Sequence, residues 1–138
     1  IDPESGRGVL CQAGHPTPVI VNADSAVTSV GDGGPPVGLI PDLSWEDVAF
    51  TLNPGDRLCL FSDGITECEN VSGEQFGPQR LERWLHDHAR LPVDQLLARF
   101  GDHLTGWRNA NRDEPTALTD DVSLLVIERQ GEKNDYSH

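Results

Sequence analysis

The residues whose types and spacing could do chemistry are two aspartates at the ends of apolar runs. Asp63 follows Leu58-Cys59-Leu60-Phe61 and precedes Gly64, where a strand would leave the core and the backbone can turn sharply. Asp120 and Asp121 stand just before a second apolar run, Val122–Glu128. If the two runs are neighbouring strands, Asp63 and Asp120 meet at one end of a sheet. Carboxylates brought that close repel unless a cation neutralises them, and oxygen donors suit hard ions such as Mg²⁺ or Mn²⁺. The alternative is that both are turn or capping residues, and spacing alone favours it.

Elements that could position these residues follow along the chain. Gly8–Ala13 and Pro18–Asn22 read as strands around a turn at Gly14-His15-Pro16, and Ala26–Val30 as a third. Gly31–Pro41 is too rich in glycine and proline for a regular element, and it lacks the GK[ST] ending of a phosphate-cradling loop. Val48, Phe50 and Leu52 alternate with less apolar residues, and Asn53-Pro54-Gly55-Asp56 reads as a hairpin turn into Arg57–Phe61. The continuous apolar character of that last run predicts burial on both faces. Helical spacing of Leu81, Trp84, Leu85 and Ala89 predicts a helix over Gly77–Arg90. A second helix over Pro92–Trp107 carries Val93, Leu96, Leu97, Phe100, Leu104 and Trp107. Asn109–Ala117 reads as a polar loop, and 131–138 as a frayed, flexible tail. The strand after the helices needs a partner, and Arg57–Phe61 is the candidate. The expected fold is α+β with a mostly antiparallel sheet and two adjacent helices.

Composition narrows the function. The 138 residues carry 23 acidic against 10 basic side chains, a net charge of −13, which argues against a nucleic-acid or anionic-membrane partner. Hydrophobic residues make up 36%, typical of a globular chain able to bury roughly two-thirds of its unfolded surface. No apolar run approaches the ~20 residues of a membrane helix. Cys11, Cys59 and Cys68 form no CxxC pair; Cys11 and Cys59 lie in apolar runs as small hydrophobes, and a reducing cytoplasm is the expected location. A chain that starts at Ile1 and contains no methionine is expected to be part of a longer one.

The segment Leu52–Asn70 (LNPGDRLCLFSDGITECEN) with Phe76-Gly77 resembles the metal-dependent serine/threonine protein phosphatases (the PPM superfamily), and within them the bacterial SpoIIE-type branch. Ala13-Gly14-His15-Pro16 with Pro18, Val37-Gly38-Leu39 and Asp120–Leu125 resemble further segments of that branch, in its order. Each is weak alone; DGITE and the terminal aspartate pair at this spacing carry the resemblance.

The resemblance implies part of a β-sandwich phosphatase fold and a site of two Mg²⁺ or Mn²⁺ ions. Asp63 and Asp120 would be metal ligands and Gly64 part of the metal-site backbone. A water activated by the ions would attack phosphorus in line, with no phosphoenzyme and no organic cofactor. The branch's earlier GGDxxD-like and GHG motifs, which carry the metal-bridging aspartate, are absent. Residues 1–130 therefore correspond to the C-terminal portion of the domain, with 66–119 as a helical insertion or flap, and this chain alone is expected to be inactive.

The implied substrate is a phosphorylated regulatory protein of the anti-sigma-factor-antagonist type, within a parent carrying an upstream sensor or receiver domain. A non-catalytic module that binds a signalling partner is the alternative, and the flap could be a regulatory or homodimerising element. His15 is open to two readings, a group supporting the metal ligands or facing the phosphate, and a turn histidine tied to backbone, which is favoured. Glu67 matches a common family residue that could support the loop. His86, His88 and His103 are expected at the surface, and Trp84 and Trp107 in the core.

Overall fold

The computed structural model describes residues 1–111, 113–114 and 121–131. In chain order its elements are β1 (Arg7–Cys11), β2 (Val19–Val21), β3 (Val27–Ser29), β4 (Asp47–Thr51), β5 (Arg57–Phe61), α1 (Asp63–Thr66), α2 (Gly77–Asp87), α3 (Val93–Asn109) and β6 (Leu124–Glu128). β1 pairs with β4, and a four-stranded sheet runs β3-β2-β5-β6, every pairing antiparallel. The α+β reading holds, and β5 does take β6 as its neighbour.

Alternation along the central strands builds three layers. Val19, Val21, Cys59 and Phe61 point into a core shared with Leu81, Trp84, Leu85, Leu96, Phe100 and Leu104 of α2 and α3. Ile20, Leu58, Leu60 and Ile127 point the other way, against Leu10, Val48 and Phe50 of the two-stranded sheet and around buried Val30 and Leu52. β5 is thus covered on both faces, as its unbroken apolar run requires.

The hairpin expected from Val48 to Phe61 does not form. β4 and β5 belong to different sheets, and Asn53–Asp56 is the corner between them. Leu52 is 1% exposed because it drops between the sheets instead of continuing a two-stranded ribbon. Asp56, also buried, holds the corner: its carboxylate accepts the amides of Asn53 (2.8 Å) and Ala23 (3.1 Å). These two bonds fasten the corner onto the end of β2.

The helices form where the spacing places them, but α2 stops at Asp87, three residues short of Arg90. Pro92 disfavours helix at the residue before it. The carbonyls of Ala89 and Leu91 instead accept the Arg57 guanidinium, at 2.8 and 2.7 Å. Arg57 also donates to Glu128 across the β5–β6 pair at 2.6 Å, so one buried side chain ties the sheet to the α2–α3 connection. Trp84 is core as expected, and Trp107 packs beside it with its indole N–H on the Cys68 carbonyl. His86 is exposed, whereas His88 is partly covered, stacked on Trp84 at 4.1 Å. Cys59 is fully buried, but Cys11 is exposed, because β1 lies in the outer sheet. No helix among the described residues is long and apolar enough to cross a membrane.

Candidate functional site

Register sets the site. Phe61 pairs with Leu124, and one step further the Ser62 amide donates to the Ser123 carbonyl at 3.0 Å. The Ser62 hydroxyl donates to the Asp121 carbonyl (2.9 Å) and accepts the Ser123 amide (3.0 Å). Ser62 therefore clasps the end of β5 to the segment that leads into β6. Nothing in the residue type singled it out; the signal was its place between a buried strand and Asp63.

Asp63 opens α1, a single turn, and its carboxylate side chain is exposed. Gly64 is buried inside that turn and has helical backbone, so the sharp glycine turn expected here is a short helix instead. The Thr66 hydroxyl and the Glu67 amide both bond back to the Asp63 carbonyl, at 3.2 and 2.8 Å. Glu67 is exposed at the end of the turn. Asp120 lies outside the described residues; its neighbour Asp121 is exposed and held by the Ser62 clasp.

The third contributor to this sheet end is the turn before β2. Val19 pairs with Cys59 in antiparallel register, which brings residues 15–18 alongside the exit of β5. His15 is exposed there. A residue that sequence reasoning missed holds this turn. Gln12 is 5% exposed, donates its amide to Thr17 Oγ1 (3.3 Å) and accepts the Gly33 amide on Oε1 (2.9 Å). Gly14 donates to the Gly34 carbonyl at 2.9 Å, and Gly34 lies so close to the Gln12 carbonyl that a Cβ would sit 2.2 Å from it. The glycine-rich stretch is therefore a strap laid over the turn, and only glycine permits that approach.

Among the described residues, no group of three or more His, Cys, Asp or Glu side chains is arranged to hold a metal ion. Asp63 offers the oxygen donor a hard divalent cation prefers. One carboxylate is not a complete site, so the described residues do not by themselves fit a bound metal pair.

The sequence model of the family described as Stage II sporulation protein E (SpoIIE) matches residues 1–130. This chain belongs to the SpoIIE family. Protein IcfG of Synechocystis sp. is 31% identical over 81 residues, which cover 59% of this chain and 13% of that protein. Phosphoserine phosphatase RsbU of Bacillus subtilis is 27% identical over 94 residues, covering 68% of this chain and 26% of RsbU. The chain thus spans a minor part of the curated relatives it matches. The phosphatase domain of the cell-fate determinant SpoIIE from B. subtilis, presoaked with Mn, superposes with a TM-score of 0.73 at 18% identity, covering 99% of this chain and 56% of that one. That likeness shows a shared phosphatase-type fold.

Proposed function

We propose that the protein containing this chain releases phosphate from phosphoserine or phosphothreonine of a regulatory protein, an anti-sigma-factor antagonist in the manner of the branch its motifs resemble. Asp63 and Asp120 would each give a carboxylate to a site for two Mg²⁺ or Mn²⁺ ions, with Gly64 in its backbone. The observation that carries this reading is the Ser62 clasp, which draws the strand end bearing Asp63 together with Asp121, the residue after Asp120. When bound, such a metal pair would activate water and neutralise charge at phosphorus. This chain's share would be to hold the Asp63 carboxylate at the end of the four-stranded sheet. Residues 66–119 would form the flap over the site, and His15 would stay a turn residue. An upstream sensor or receiver domain and a cytoplasmic location complete the proposal.

The test uses the longer natural chain with a phosphoserine peptide and Mn²⁺. Asp63→Asn should lower kcat/KM by about a hundredfold or more. Thermal stability should hold, because an exposed carboxylate without buried contacts contributes little, within about 0.5 kcal/mol. An unchanged rate would remove Asp63 from the site. A longer chain that releases no phosphate at all would favour the partner-binding module instead.

A further inference from the structure

An open groove of about 300 Å³ lies at the same end of the four-stranded sheet, walled by Pro16, Thr17, Phe61, Thr66, Pro78 and Glu82. Every wall belongs to a part already placed. Pro16 and Thr17 follow His15, Phe61 ends β5, and Thr66 closes the turn that Asp63 opens. Pro78 and Glu82 lie on the first turns of α2. The groove therefore runs from the candidate site to the flap, and its size suits a side chain rather than a folded partner.

Its chemistry is lopsided. Phe61 and the two prolines give apolar lining, Thr17, Ser29 and Thr66 add neutral hydroxyls, and Glu82 is the only charged side chain lining it among the described residues. Glu82 is half-buried, yet it enters neither of the ion pairs among the described residues, Arg57 with Glu128 and Arg80 with Glu74. No described residue hydrogen-bonds its carboxylate. A carboxylate beside apolar surface, paired with no cation among the described residues, complements a cation from outside, and a long basic side chain also covers apolar surface with its methylenes.

We propose that this groove receives a lysine or arginine lying within a few residues of the phosphorylated position in the substrate protein. Glu82 pairs with the charge, while Phe61, Pro16 and Pro78 pack the stem. The assignment rests on the phosphatase reading and adds to it a preference for basic flanking sequence, set by a flap residue.

The experiment compares phosphoserine peptides with arginine or glutamate scanned through the positions either side of the phosphate, using the longer natural chain with Mn²⁺. The readout is the ratio of kcat/KM between the arginine and glutamate peptides at the most sensitive position. The ratio should be about tenfold in the natural protein, near one in Glu82→Gln, and inverted in Glu82→Arg. Circular dichroism checks that both variants are folded, and the conservative Glu82→Gln serves if Glu82→Arg is not. A ratio of one in the natural protein, or one that Glu82 substitutions leave unchanged, overturns the assignment. Hydrolysis of p-nitrophenyl phosphate by the natural protein reports separately on the phosphatase reading. Should that hydrolysis be absent, fluorescence anisotropy with the same peptides still decides the groove: arginine peptides must bind more tightly, and Glu82→Arg must reverse the order.

Discussion

At the scale of single residues, the three cysteines divide by layer. Burial pushes the Cys59 thiol up to about 12, with the nearby Arg57 charge pulling weakly the other way. Cys68 is buried as well, whereas Cys11 faces solvent on β1. The thiolate is the reactive form, so a disulfide reagent at pH 8 should modify Cys11 alone in the folded chain and all three after denaturation. Rapid modification of Cys59 in the native state would contradict the packing of β5. Its raised pKa also carries a sign. The contribution to stability is complete below the unfolded thiol value near 9 and is lost as pH climbs towards the folded value of about 12.

Among the elements, the α2–α3 pair is fastened to the sheet by one guanidinium. Arg57→Ala would strand the Glu128 carboxylate and the carbonyls of Ala89 and Leu91, all of which now accept from it. The expected loss is about 3 kcal/mol in urea denaturation, and Arg57→Lys should recover only part, because an ammonium cannot span three acceptors at these positions. A loss below about 1 kcal/mol would mean that the apolar face of the helices holds them unaided.

The same pair carries a weak acid sensitivity. Burial against the aromatic cluster, and secondly the charge of His88, hold His103 below the ordinary histidine value. Its ring meets Phe76 edge-on at 5.7 Å. A depressed histidine favours the folded state while neutral, so this contribution is full above about pH 6.5 and fades as pH falls below it. Partial exposure keeps it small. A His103→Gln variant should show a shallower loss of stability between pH 7 and 5 than the natural chain, and an equal slope in both would show that His103 contributes nothing.

For the whole molecule, the layers differ in depth. The core between the four-stranded sheet and the helices includes Leu81, Leu85 and Leu104 at 0% exposure, whereas Val9 on β1 is 63% exposed. β5 lies between two paired strands and under both cores; β1 and β4 pair only with each other among the described residues. Amide hydrogen exchange should therefore be slowest in β5 and clearly faster in β1 and β4. Equal protection in the two sheets would point to further cover over the outer one.

Local pattern determined much of this protein. The apolar run Leu58–Phe61 demanded a doubly buried strand, the spacing of Leu81, Trp84 and Leu85 demanded a helix, and the turn residues after Phe61 marked a strand end. Family resemblance added the weight given to Asp63, since strand-end aspartates are common in turns and spacing alone could not separate the two. Tertiary structure decided what depends on distant partners. Asn53–Asp56 is as good a hairpin turn as a corner between sheets until Leu52 finds its cavity and Asp56 finds Ala23. Gln12 and Arg57 are ordinary polar residues in sequence, and they become fasteners only because distant partners fold against them, the Gly33 amide that donates to Gln12 and the Ala89 carbonyl that accepts from Arg57. Side-chain periodicity is a property of neighbours in sequence, whereas a buried polar group is explained only by the partner that satisfies it.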